Sequence, residues 1–174
     1  MQFEETVRET GADDLDRILA LYPVVFPDEE LRPLVADLLG GDAAIVSLAA
    51  FTSDTVIAHV AFTLFKDARN VSGALLGPLG VLPDHQRRGV GTRLVNDGVA
   101  RLDALGVSQI FVLGDPSYYR RFRFGAEDRV LPPYALPTEW SGAWQSRTLS
   151  DRAPLTAGRC TLPSAWMNAA LWVP

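Results

Sequence analysis

Gln86-Arg87-Arg88-Gly89-Val90-Gly91-Thr92 decides the reading of this chain, with an apolar strand-like stretch, Leu75 to Leu82, in front of it and an amphipathic helical pattern, Val90 to Leu105, behind it. Two glycines let the main chain come close to a ligand, and the first turn of a helix carries N–H groups without intrahelical partners. Several donors therefore converge on one small space, where the helix dipole and the guanidiniums of Arg87 and Arg88 favour an anion. The stretch reads as a pyrophosphate cradle.

Two common cradles do not fit. A nucleoside-triphosphate loop requires Lys and then Ser or Thr after its last glycine, whereas Gly91 is followed by Thr92 and Arg93, and Lys66 is the only lysine in the chain. The dinucleotide fingerprint requires a third glycine where Leu94 stands, and it usually sits near the start of a chain rather than halfway along.

Working outward, Phe3 to Arg8 alternates as a first strand, and Gly11 to Tyr22 carries Leu15, Ile18, Leu19 and Tyr22 at helical spacing behind Asp13 and Asp14. Pro23-Val24-Val25-Phe26-Pro27 is expected to break that helix, and Asp28 to cap a second one through Leu39, ended by Gly40-Gly41. Ala43 to Phe51 and Thr55 to Phe65 read as an antiparallel hairpin about Ser53-Asp54. In Leu75 to Leu82, Gly77-Pro78 and Gly80 interrupt the strand. Either they turn a corner, or they form a bulge that leaves backbone groups near Leu79 and Val81 free for an extended ligand arm. After the helix, which Gly106 ends, Val107 to Leu113 returns as a strand, so the two strands form a parallel pair through a right-handed crossover.

With 174 residues, 48% hydrophobic and 21% charged, the chain is expected to form one domain, residues 1–174, with residues 131–174 as C-terminal loops and strands of that domain. The net charge of -5 argues against nucleic acid or an anionic membrane as partner. No stretch approaches the length of a membrane span, Met1 to Glu9 lacks the apolar core of a secretion signal, and Cys160 is the only cysteine. A reducing, cytoplasmic location is expected, and no metal, because no cluster of ligand residues has metal spacing.

With Val81-Leu82-Pro83 before it, the pattern Gln, two residues, Gly, one residue, Gly resembles the acetyl-CoA signature of the GNAT N-acetyltransferase superfamily. Gly114-Asp115-Pro116-Ser117-Tyr118-Tyr119-Arg120-Arg121-Phe122-Arg123-Phe124 resembles the segment after the fifth strand in a bacterial subset of that superfamily. The likeness covers roughly residues 1 to 130 and is sharpest from 75 to 126. It implies an α/β fold, with a mixed, mostly antiparallel central sheet flanked by helices and a splayed parallel strand pair at the cofactor site. It implies acetyl-CoA as cosubstrate: Gln86, Arg87, Arg88, Gly89, Val90, Gly91 and Thr92 on the pyrophosphate, and Leu79 and Val81 on the pantetheine arm. The acetyl group would pass directly to a primary amine of a small molecule or peptide, and the alternative is a CoA-binding sensor or pseudoenzyme that has lost turnover.

Asp115 and Pro116 suit the cap and first residue of a short helix through Phe122. By its spacing to Phe124, Tyr119 corresponds to the tyrosine of the family's Tyr-x-x-x-Gly-Phe pattern, which implies a place beside the thioester sulfur as proton donor, or else a ring packed in the core. Arg123 stands where the pattern has Gly, and Gly114-Asp115-Pro116 replaces the usual upstream Asn, which leaves Tyr118 and Tyr119 both open for that place. For the general base none stands out. His59 reads as a structural histidine bonded to backbone, His85 as exposed beside the ligand, and Glu29 and Glu30 either as a rim of the acceptor mouth or as first-turn acids of a helix. Trp140, Trp144, Trp166 and Trp172 are expected as a core patch under long loops, with a cover over the acceptor or a homodimer contact as the rarer readings.

Overall fold

The computed structural model describes residues 5–173. Their elements are β1 (Glu5–Glu9), α1 (Leu15–Val25), α2 (Arg32–Gly40), β2 (Ile45–Thr52), β3 (Thr55–Lys66), β4 (Ser72–Val81), α3 (Val90–Ala104), β5 (Gln109–Leu113), α4 (Pro116–Tyr119), β6 (Gly125–Ala126), β7 (Val130–Leu131), β8 (Trp144–Thr148) and β9 (Gly158–Arg159). Seven strands follow the order β1-β2-β3-β4-β5-β8-β6 in one mixed sheet, while β7 and β9 form a separate parallel pair. The pairs β1–β2, β5–β8 and β6–β8 are antiparallel and β4–β5 is parallel, so the expected mixed, mostly antiparallel α/β class holds. The chain divides into two compact units, Met1–Phe62 with Gly77–Arg101, and Thr63–Leu76 with Leu102–Pro174.

In the first unit, Ile18, Leu21 and Tyr22 of α1 and Val35 of α2 pack with Ala49, Phe51 and Val56 of the β2–β3 hairpin. Phe3 of the expected first strand lies outside the described residues; the strand they show begins at Glu5 and pairs Glu5–Glu9 with Thr52–Leu48. Two boundary expectations are corrected. Pro23 sits inside α1, which continues to Val25 and closes with Phe26 N–H donating to Tyr22 O at 2.8 Å, because burial of Leu21 and Tyr22 holds the last turn against the lost proline donor. Asp28 caps nothing: α2 starts at Arg32 with Leu31 as its cap and Pro33 in its first turn, and Asp28 lies in the preceding turn, where Glu29 N–H donates to Phe26 O. Asp14, one of the two acids ahead of α1, is a buried carboxylate that accepts from Arg8, Arg17 and Gly11 N–H, and these bonds hold its pKa well below the usual carboxylate range. Later in the unit, a Cβ at Gly98 of α3 would lie 2.1 Å from the Phe62 ring, so glycine is what lets the helix close on β3.

In the second unit, the parallel register runs from Gly73↔Gln109 to Leu76↔Val112 and stops just before Gly77-Pro78. Trp144 stacks on Phe111 at 5.5 Å and meets Trp172 edge-on, and Trp172 meets Trp166. Each of the three indole N–H groups finds an acceptor: Val130 O, Thr63 Oγ1 and Trp166 O. Three of the four tryptophans thus build the expected core patch, while Trp140 stays half-buried in a short turn. The two-residue strands β7 and β9 carry no periodicity by which the sequence could place them.

Candidate active site

The cradle lies in the first unit. Leu82 N–H donates to Ile57 O at 2.9 Å, and a 3-10 turn over Pro83–His85 follows. Gln86 then folds its side chain back, Nε2 donating to Val81 O at 3.0 Å, and this staple sets the exit of the loop from the strand. Val81 O is therefore not among the free backbone groups expected at the strand end, and Gln86 has its amide engaged within the protein. Arg87 and Gly89 both take left-handed backbone, φ 58° and 84°. A Cβ on Gly89 would meet nothing within 4 Å, so glycine is favoured there by conformation and not by crowding. Helical bonding begins with Arg93 N–H donating to Gly89 O at 2.9 Å. The N–H groups of Val90, Gly91 and Thr92 precede that bond and have no intrahelical acceptor. Val90 and Gly91 are buried, which anchors the helix start, whereas Arg87 and Arg88 are exposed with no ion-pair partner among the described residues. Along the strand that enters the cradle, Leu79 and Val81 are half-buried on either side of buried Gly80.

The tyrosine turn lies in the second unit. Asp115 caps α4 as expected, accepting from Ser117 N–H at 2.8 Å and from the Ser117 hydroxyl at 2.7 Å, with Pro116 in the first turn. A 3-10 turn over Arg120–Phe122 continues it, and Arg123 closes it in the left-handed region at φ 64°. That is the position of the pattern's glycine, so the conformation is kept without the residue that adopts it most cheaply. Tyr119 lays its ring on Gly114, where a Cβ would lie 2.4 Å from Cε2, and packs edge-on against Phe124 and Tyr118. Burial pushes the Tyr119 phenol well above its ordinary pKa. Tyr118 is raised too, chiefly by burial, with the Arg121 guanidinium 4.4 Å over its ring opposing the shift. Of the two candidates Tyr119 is the more deeply placed. The Gly114 contact was not anticipated, although a glycine just before the cap was the available signal.

The base candidates separate clearly. His59 is fully buried between two side chains, Tyr22 Oη at 2.7 Å from Nδ1 and Ser47 Oγ at 2.9 Å from Nε2, and burial pushes its pKa down to about 3. It is the structural histidine expected, but side chains from α1 and β2 satisfy it instead of backbone. His85 is not openly exposed: its side chain is 23% accessible, with Nδ1 buried 3.6 Å from Glu5 Oε1. Glu30 pairs with Arg32, and both Glu29 and Glu30 lie outside the helix, so the first-turn reading of these acids does not hold.

Among the described residues no helix is long and apolar enough to cross a membrane. The family model described as "Acetyltransferase (GNAT) family" matches residues 13–124. An uncharacterised N-acetyltransferase of Escherichia coli K12, YjhQ, is 34% identical over 168 residues, covering 91% of this chain and 93% of its own. A GNAT family acetyltransferase from Brucella melitensis, solved in complex with acetyl-CoA, is 25% identical with a TM-score of 0.73, covering 89% of this chain and 94% of that one. The fold is also that of the GNAT family N-acetyltransferase YhbS from Escherichia coli, solved with CoA, at TM-score 0.86 and 23% identity over 97% of this chain and 94% of that one.

Proposed function

Because the chain belongs to the acetyltransferase (GNAT) family, we propose that it takes acetyl-CoA as cosubstrate and passes the acetyl group directly to a primary amine of a small molecule or peptide. The observation that carries this reading is the open helix start, where Val90, Gly91 and Thr92 offer N–H donors behind the left-handed residues Arg87 and Gly89. The acetyl-CoA bound by the Brucella melitensis relative supports the same ligand. Gln86 sets the loop through Val81 O, and Arg87 and Arg88 add charge-assisted bonds to the pyrophosphate. Leu79 and Val81 hold the pantetheine arm with main-chain groups, and donors near Val81 stabilise charge developing on the carbonyl oxygen.

Bound acetyl-CoA supplies an activated thioester: the neutral amine forms the new C–N bond, the C–S bond breaks, and the one proton that the nitrogen gives up balances the one that the departing sulfur takes up as thiol. Tyr119 matches the family's tyrosine and is the proposed donor of the proton that the sulfur takes up. Burial keeps the phenol protonated but makes it a weaker acid than a free one, so the proposed role rests on its placement and not on acidity. No enzyme-bound acetyl group is needed.

A thermal-shift comparison of acetyl-CoA, CoA, ATP and NAD tests the ligand: at about a hundredfold excess over Kd a true ligand adds about 2.7 kcal/mol of apparent stability. CoA and acetyl-CoA should raise Tm while ATP and NAD leave it unchanged, and no response to either CoA species overturns the proposal. The placement of His59 in the core favours a second reading, a CoA-binding sensor without turnover. Release of free thiol over a broad amine panel decides between the two.

A further inference from the structure

The first unit buries a polar chain that the proposed reaction does not use. Thr10 donates through Oγ1 to Ser47 Oγ at 2.6 Å, Ser47 Oγ lies 2.9 Å from His59 Nε2, and His59 Nδ1 lies 2.7 Å from Tyr22 Oη. His59 and Tyr22 are 0% and 1% exposed. With the ring proton on Nε2, Tyr22 donates to Nδ1 and His59 donates to Ser47, so the phenol, both ring nitrogens and the serine oxygen are all satisfied. The four side chains come from the end of the β1 segment, from β2, from β3 and from α1, and they are satisfied together only at one setting of these elements. Apolar residues of similar size would fill the same space without the cost of desolvating polar groups.

A proton relay is the first function such a chain suggests, and it fails. A ring that stays neutral down to about pH 3 stores no proton from an incoming amine, and Tyr22 has no open face to meet one. What the chain does have is a mechanical neighbour. The Tyr22 ring stacks on Phe26 at 6.0 Å with the planes 15° apart. Phe26 Cε2 in turn lies 3.4 Å from where a Cβ on Gly80 would stand, with Leu21 and Val25 of the same helical turn at 3.5 Å, so the end of α1 rests on the main chain of β4 between Leu79 and Val81.

We infer that His59 and Tyr22 are positioning residues: their buried hydrogen bond fixes the rotation of α1's last turn, and Phe26 passes that setting to the Leu79–Val81 segment of β4. This inference rests on the reading of that segment as the one that holds the pantetheine arm. It explains why a polar chain occupies a core that apolar residues could fill, and why the contact with the strand is made by an aromatic four residues beyond Tyr22.

The test is CoA binding by titration calorimetry, with thermal melting without ligand run alongside, on the full chain and on Tyr22→Phe, Phe26→Leu, Tyr22→Phe with Phe26→Leu, and Tyr22→Phe with His59→Leu. Tyr22→Phe should weaken CoA binding about fivefold, and adding Phe26→Leu should weaken it little further, because contacting residues on one path are not additive. Tyr22→Phe with His59→Leu keeps the discriminating role. It leaves no unpaired ring nitrogen, so it should regain much of the melting temperature lost in Tyr22→Phe while CoA binding stays weak. Affinity that recovers together with stability, fully additive effects, or CoA binding within twofold of wild type in Tyr22→Phe overturns the inference. Failure of the wild-type chain to bind CoA at all sinks the proposed function and this inference with it, an outcome distinct from the other three.

Discussion

Gly89 and Gly114 stand at the entrances of the two segments proposed to handle the cosubstrate, and each is glycine for a different reason. Gly89 has open space around its missing side chain but a left-handed backbone, while Gly114 carries no such φ and has no space, because the Tyr119 ring occupies it. The cradle turn thus uses glycine to aim its main chain outward, leaving N–H groups open for a ligand. The tyrosine turn uses glycine to admit a side chain, and its own left-handed position is filled by Arg123, whose N–H donates to Arg120 O at 3.0 Å. Arg123 and Arg87 show that a left-handed residue can carry a side chain that points to solvent, at the cost of the strain that Gly89 avoids.

The comparison breaks most visibly at Gly89. Gly89→Val should lower CoA affinity about a hundredfold or more, the loss of one or two charge-assisted bonds, with far-UV circular dichroism unchanged. Calorimetry showing wild-type affinity would remove the cradle from the binding site. For Tyr119→Phe, kcat should fall about a hundredfold with KM for acetyl-CoA within twofold, as expected for a group that acts on the proton and not on binding. Unchanged turnover would move the proton donor elsewhere and leave Tyr119 as packing. Gly114→Ala should cost about 1–3 kcal/mol through overpacking against the Tyr119 ring, and Gly114→Val more. At Gly89, Ala and Ser should cost nearly the same as each other, about 1–2 kcal/mol, because the strain there is set by φ and not by size. Chemical denaturation of both series reads the contrast, and a size-dependent series at Gly89 would erase it. The smallest effect is expected at Arg123, where Arg123→Gly should stabilise by about 1 kcal/mol by removing the left-handed penalty of a side chain. A loss of stability there would mean that the arginine side chain makes contacts worth more than the strain.

Much of the framework was legible before any coordinates. The β2–β3 hairpin, α3 with Gly106 at its end, the Asp115–Pro116 cap and the glycine turn all depend on residues within a few positions of one another, where steric limits on φ and unsatisfied N–H groups act locally. The misread boundaries fail for the same reason in reverse. Pro23 should end a helix by local rules and is overruled by the burial of Leu21 and Tyr22, and Asp28, a good cap in isolation, is left aside because Pro33 starts the helix later.

The candidate site divides along that line. The residue types and spacing of Gln86 to Thr92 by themselves make a turn into an open helix start legible, since both are properties of a short stretch of backbone. That Gln86 spends its side chain on Val81, that His59 is held by a serine 12 residues before it and a tyrosine 37 residues before it, and that Tyr119 needs a glycine at 114 were decided only when distant segments met. Side-chain partners are chosen by three-dimensional proximity and by the cost of leaving a buried polar atom unpaired, and neither is written in the spacing of a sequence.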